Sequence, residues 1–380
     1  MQRMSRRAAF FIKAVLAFGA AALSVGAVLF MFPKTPPLRA PITGAMEPID
    51  TRTGVYVGAA GELFLVAPAL SSGFRRYSLD AYGAATSLSA EVLTGRMEEA
   101  GLKRKADQPY AVSSIDIDRS VPLAGWLFEP PAPKAAVVIL HGSGDSDREN
   151  GWYVYLAHFI ATNGYVVLLP DKRGAGRSGG DWRSEPLTVL AQDGADWLNA
   201  LRWRYPQLSS FGVIGVSQGG MIAPTTARIA DAEFAIGLSV TATSLNEQLL
   251  AEIGNDVEEA GVPEFLRSAI TAIYAQRAKN RNSAFWRKNG TFNTLTEWSK
   301  WGGSFRIALG RGDEDQFVPV AESVRRLERA DNDDGRLEWR VYDGVRHSLC
   351  YPDGPEKNAF HRDFQRDLIG WLGEHARAAK

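Results

Sequence analysis

The sequence predicts an α/β fold, a mostly parallel central sheet covered by helices on both faces. Three observations carry this expectation. From Ser113 onward, apolar runs of strand length alternate with helix-length segments, the pattern of parallel strands joined by crossovers. The runs are apolar throughout, as strands buried on both faces are. One of them, Phe211 to Val216, passes straight into a helix through a serine flanked by glycines.

In chain order, the N-terminus differs in kind from the rest. Residues 1–13 form a basic flank with Arg3, Arg6, Arg7 and Lys13, and residues 14–32 are an almost uninterrupted apolar run. As a helix this run would reach about 28 Å, close to the roughly 30 Å of bilayer hydrocarbon. The expectation is an uncleaved single-pass anchor with its cationic end in the cytoplasm. The competing reading is a signal peptide cut near Ala20-Ala21-Ala22, which would leave Leu29 to Phe32 exposed. Ser5-Arg6-Arg7 is only a weak likeness to a twin-arginine signal. Residues 33–52, with Pro33, Pro36, Pro37 and Pro41, read as a stiff extended tether. Residues 53–112 alternate short apolar runs such as Val55 to Val57 and Leu63 to Val66 with glycine turns, which predicts a small β-rich module.

Residues 113–380 carry the large domain. Strands are expected at Ala135 to Leu140, Tyr165 to Leu169, Phe211 to Val216, Phe234 to Val240, Phe305 to Leu309 and Leu337 to Tyr342. Helices are expected at Trp152 to Asn163, Leu187 to Arg204, Met221 to Ile229 and Glu356 to Ala376. Residues 241–303 are far longer than a crossover needs and hold helical stretches at Leu245 to Glu259 and Pro263 to Lys279. This insertion reads as a lid that shapes a substrate pocket.

Composition excludes several functions. Lys plus Arg and Asp plus Glu are 43 each, so no global field points to nucleic acid or to a strongly charged substrate. The one cysteine, Cys350, rules out an internal disulfide and a cysteine zinc site, and it reads as packing.

A serine hydroxyl becomes a nucleophile when a base takes its proton, so the relevant serine must be held rigidly within reach of a histidine. Two Gly-x-Ser-x-Gly matches exist, at Gly176 to Gly180 and at Gly215 to Gly219. Ser217 sits between strand and helix, and Gly215, Gly219 and Gly220 relieve crowding in that sharp turn. Ser178 lies several residues past its strand, and Pro186 separates it from the next helix, so it reads as loop. The same stretch fits a dinucleotide fingerprint, but no helix opens behind its glycines to hold a pyrophosphate.

The base is sought after the nucleophile, among His347, His361 and His375. His347 follows a strand end in a loop, whereas the other two fall in the expected C-terminal helix. The acid comes from Asp313, Glu314 and Asp315, any of which could fix the imidazole tautomer; spacing before Val318-Pro319 favours Asp315, with Asp313 as the alternative. The Gln218 backbone N–H at the helix start and the Ser143 N–H in His141-Gly142-Ser143-Gly144 are the expected oxyanion donors. His141 precedes the nucleophile and reads as structural. Arg148 reads either as orienting that turn, as contacting substrate or as a solvated surface charge.

These residues resemble the α/β-hydrolase superfamily, and within it bacterial serine esterases with a His-Gly-Ser-Gly turn followed by Asp-Arg, here Asp147-Arg148. The likeness runs through Asp171 to Ser178 and Ser217-Gln218-Gly219-Gly220 and spans about Ser113 to the C-terminus. Val216 departs from it where many relatives carry histidine. The resemblance implies a triad of Ser217, Asp315 and His347, hydrolysis of a small ester through an acyl-enzyme, and no metal or organic cofactor. With the N-terminal run, it implies a domain on the periplasmic side of a bacterial inner membrane. A prolyl-oligopeptidase-like peptidase and a non-catalytic tethered binding protein are the alternatives; the chain before Ser113 is too short for a propeller.

Overall fold

In the computed structural model, residues 50–88, 97, 101–311 and 315–378 are described. The expected anchor at 14–32, its basic flank and most of the tether lie outside the described residues, as does Asp313. Among the described residues, no helix is long and apolar enough to cross a membrane.

Eight strands form the main sheet. They are β6 (Ala111–Ile117), β7 (Leu123–Glu129), β8 (Ala136–Leu140), β9 (Val166–Pro170), β10 (Phe211–Val216), β11 (Phe234–Leu238), β12 (Ser304–Gly310) and β13 (Leu337–Tyr342), in the order β13-β12-β11-β10-β8-β9-β7-β6. The six strands β8 to β13 pair in parallel, and β7 and β6 close one edge antiparallel. Each strand predicted from a continuous apolar run is present, with ends differing by at most two residues.

Those runs are apolar throughout because both faces are covered. Val137 and Ile139 point into a core shared with α1 (Gly151–Thr162) and α9 (Arg362–Ala378). Ala136, Val138 and Leu140 point the other way, against α2 (Leu187–Arg204), α3 (Gln218–Ala230) and α8 (Val320–Ala330). The period-two alternation of the pleat thus feeds two cores from one strand.

The N-terminal residues fold as a separate five-stranded antiparallel sheet of β1 (Gly54–Val57), β2 (Leu63–Pro68), β3 (Phe74–Ser78), β4 (Thr86–Ser87) and β5 (Lys103–Arg104), ordered β4-β3-β2-β1-β5. Val55, Leu65, Ala67 and Tyr77 face the main core, where Tyr77 meets Trp126 edge-on at 5.9 Å. The expected module end at residue 112 is late, because Ala111 already pairs with Glu129 in the main sheet.

Between β11 and β12 the insertion folds as four helices, α4 (Leu245–Glu259), α5 (Glu264–Arg281), α6 (Ser283–Asn289) and α7 (Thr294–Trp301). A capping box starts it: Ser244 Oγ accepts from the Glu247 N–H, and Glu247 accepts from the Ser244 N–H at 2.8 Å. Arg326 on α8 grips the same Glu247 carboxylate at 2.7 Å and anchors the insertion to the sheet.

The C-terminal helix starts at Arg362, six residues later than expected. Residues 356–361 instead turn back so that Phe360 enters the core and bridges to Cys350. His361 therefore precedes the helix, where its Nδ1 accepts from the Asp363 N–H at 3.2 Å.

Candidate active site

All the site groups lie just past the C-terminal ends of the parallel strands, where an open α/β sheet leaves its crevice. Ser217 follows β10 with φ 51° and ψ −116°, a conformation that L side chains rarely adopt. Its N–H donates to the Leu238 carbonyl at 2.8 Å, and its carbonyl accepts from the Met221 N–H at 3.1 Å, so the strained turn is locked from both sides. The turn closes only over glycine. A Cβ at Gly215 would lie 2.2 Å from the Gly219 carbonyl oxygen, and one at Gly219 would lie 2.2 Å from that of Leu140.

His347 stands beyond β13 and Asp315 beyond β12. The imidazole Nδ1 lies 2.9 and 3.0 Å from the two Asp315 oxygens. Asp315 is 1% exposed, and its Oδ1 also accepts from the N–H groups of Phe317 (2.9 Å) and Val318 (3.1 Å). Charge-assisted bonds of this kind hold a buried carboxylate in one orientation. Ser239, at the end of β11, donates its hydroxyl to the His347 carbonyl at 2.6 Å and fixes the loop from beneath. With Asp315 bonded to Nδ1, Nε2 is the ring nitrogen left for a proton.

Ser217 and His347 line one cavity of about 350 Å³ with Gly142, Ser143, Trp152, Tyr153, Gln248, Glu252 and Phe317. The edge of Phe317 meets the His347 ring at 5.0 Å. Gly142 abuts the nucleophile, since a Cβ there would come 3.4 Å from Ser217 Cβ. The Gly142 N–H is already donated to the Tyr153 hydroxyl at 2.7 Å. Ser143, next in the chain, lines the cavity. The Gln218 N–H is at the first position of α3, where a helix has no carbonyl of its own to bond it. The cavity can therefore hold a carbonyl group beside a strained serine.

Two groups that sequence reasoning passed over stand at this site. Glu252, on α4, is half-buried in the cavity facing His347, and burial pushes its carboxyl up to about 7, with the neighbouring Asp256 adding to the rise. Lys172, after β9, is buried with its Nζ 2.7 Å from the Gly142 carbonyl oxygen, 3.3 Å from that of Gly144 and 2.8 Å from Gln218 Oε1. Helical spacing could have placed Glu252 on the inner face of α4. Nothing in the sequence signals the Lys172 contacts, which join loops far apart in the chain.

An esterase of Pyrococcus furiosus superposes with a TM-score of 0.51 at 21% identity over 71% of this chain and 92% of that one. Residues 131–287 match the family described as serine aminopeptidase, S33. The chain has the α/β-hydrolase fold. A second crystal form of the Pyrococcus furiosus esterase gives 0.50 at 21% identity, covering 71% of this chain and 90% of that one. A proline iminopeptidase of Mycobacterium smegmatis gives 0.48 at 14% identity, covering 70% and 100%. No curated protein sequence matches.

The remaining candidates in this fold occupy structural places. Ser178 donates to the Asp171 carbonyl at 2.8 Å and accepts from the Ala124 N–H at 3.0 Å, so its hydroxyl is consumed in loop packing. The next helix opens only at Leu187, so the glycines before Ser178 face no helix start. His141 is buried between the Pro170 carbonyl (2.5 Å) and the Ser146 hydroxyl (3.0 Å), and burial lowers it to about 4. His375 stacks on Phe234 at 4.6 Å, away from the cavity. Arg148 is not a solvated charge: at 2% exposure it holds Asp171 through two side-chain bonds of 3.0 and 2.8 Å and orients the turn. Cys350 is buried and free, and burial pushes its thiol up to about 12. Among the described residues, no group of three or more His, Cys, Asp or Glu could hold a metal ion.

Proposed function

We propose that this protein is a serine hydrolase that cleaves small carboxylic esters through an acyl-enzyme. The observation that carries the reading is the strained Ser217 sharing a cavity with a His347 whose Nδ1 is anchored on buried Asp315. His347 Nε2 takes the Ser217 proton as Oγ bonds to the carbonyl carbon, and the carbonyl electron pair moves onto oxygen. The Ser143 and Gln218 N–H groups receive that oxyanion. Collapse expels the alcohol, which leaves with the proton from His347, and water repeats the sequence on the acyl-enzyme. Asp315 stabilises the imidazolium without taking its proton. The insertion 241–303 acts as the lid over this cavity, supplying Gln248 and Glu252 to its wall.

The test is fluorophosphonate labelling and short-chain aryl-ester hydrolysis by wild type and Ser217→Ala. Labelling of the wild type alone and a loss of about 10⁶ in kcat are expected. Unlabelled wild type or undiminished activity in the variant would sink the reading.

A second reading, an aminopeptidase, is favoured by one observation. Glu252 has no hydrogen-bond or ion-pair partner among the described residues and faces the cavity, where a substrate ammonium would pair with it. Aminoacyl arylamides cleaved faster than matched aryl esters, with KM raised selectively in Glu252→Gln, would favour that reading.

Residues 14–32 are proposed to anchor the enzyme in an inner membrane with its catalytic domain outside the cytoplasm. Protease added to spheroplasts should then digest the domain, and full protection would rule the orientation out.

A further inference from the structure

Two loops that never meet in sequence supply the proposed oxyanion donors. Ser143 lies in the loop after β8, and Gln218 opens α3 after β10. Between them stands Lys172, whose buried ammonium bonds the Gly142 and Gly144 carbonyls and the Gln218 side chain, with its Nζ 3.9 Å from the centre of the Trp182 ring. The Gly142 carbonyl belongs to the same peptide group as the Ser143 N–H. An ammonium bonded to that oxygen draws electron density along the amide and makes the N–H at its other end a stronger donor.

We infer that Lys172 is a positioning residue for acyl transfer, its ammonium holding the two donor loops in one frame and polarising the Gly142–Ser143 peptide toward the oxyanion. This rests on the reading of Ser143 and Gln218 as the oxyanion donors. The effect grows as negative charge develops, so it acts on the transition state more than on bound substrate. It also depends on charge, and burial pulls Lys172 down to about 7. Asp145 favours the charged form and Arg183 opposes it. Other charges nearby are committed elsewhere. Asp171 is held by Arg148, Asp193 is held by Arg173 at 2.5 Å, and His141 is kept neutral by burial. As pH rises past about 7 the ammonium loses its proton, and the polarisation goes with it.

The experiment measures kcat and KM for an aryl ester, and the rate of fluorophosphonate labelling, from pH 6 to 10. It uses wild type, Lys172→Met and Lys172→Arg, with folding checked by thermal unfolding. Wild-type kcat is expected to fall on an alkaline limb beginning near pH 7 to 8. Lys172→Met should lose about 10- to 100-fold in kcat at pH 6.5, with KM within about twofold and the limb gone. Lys172→Arg, which stays charged, should retain more activity than Lys172→Met and also lack the limb. If Lys172→Met does not fold, the limb in Lys172→Arg decides. A wild type without the limb, a limb that survives in a folded variant, or a loss that appears in KM alone overturns the inference. Labelled, active wild type alongside any of these results refutes only the role of Lys172. Unlabelled wild type refutes the hydrolase reading itself.

Discussion

Asp315 does two jobs with one carboxylate, and a single substitution separates them. Oδ1 accepts the Phe317 and Val318 N–H groups that shape the turn, and both oxygens face His347 Nδ1. An amide in its place keeps an oxygen for the turn but can present NH₂ to the imidazole, which favours the wrong tautomer. Asp315→Asn should therefore lose about 10⁴-fold in kcat while unfolding near the wild-type temperature. Asp313→Asn, compared in the same ester assay, should stay within about twofold. Spacing alone left these two aspartates in competition, because both lie in one short acidic stretch of sequence, two residues apart. Ser217 was legible for the opposite reason. A strand, a helix and crowded glycines around one serine leave few backbone solutions, and the duplicate motif at Ser178 lacks the helix.

At the scale of elements, the loops after β8 and β9 are pinned together by the Arg148–Asp171 pair. Asp171 Oδ1 also accepts the Arg148 N–H at 2.9 Å, and Oδ2 accepts the Arg177 N–H at 2.7 Å. Asp171→Asn leaves a buried guanidinium without its counter-charge, which should cost about 3–5 kcal/mol in a denaturant titration. A change below 1 kcal/mol would mean that water reaches Arg148. This pin was invisible as a pair, since the partners are 23 residues apart and Arg148 alone suits turn orientation, substrate contact or a solvated charge. The strands were legible because burial on both faces writes itself as a continuous apolar run. The start of α9 was not: Glu356, Lys357 and Asn358 suit a helix locally, but burying Phe360 pulls that stretch into turns. The main-sheet edge at Ala111 was missed because a strand with one exposed side carries mixed residues that also suit the module before it.

Across the whole molecule, buried titratable groups make stability depend on pH in two opposing ways. His158, whose Nδ1 lies 2.8 Å from the Tyr110 hydroxyl, is lowered to about 4 by burial, as is His141. Between pH 6.5 and 4 the unfolded chain binds protons that these folded histidines refuse, so their contribution is present above pH 6.5 and is lost as pH falls toward 4. Glu252 acts with the reverse sign. Its folded carboxyl keeps a proton up to about 7 that the unfolded chain releases near 4.5, so the stability of that site falls as pH rises through this interval. Replacing each group should flatten its own limb in denaturant titrations from pH 4 to 9. Relative to wild type, His158→Gln should recover about 2–3 kcal/mol between pH 6.5 and 4, whatever its absolute loss at neutral pH. Glu252→Gln should match wild type near pH 4.5 and exceed it by about 1–2 kcal/mol above pH 8, the cavity solvent screening the remainder. Because Glu252 is also a wall of the cavity that Ser217 and His347 line, a gain in stability there together with a change in ester KM would mark a carboxylate kept at a cost to the fold for what it does to substrate.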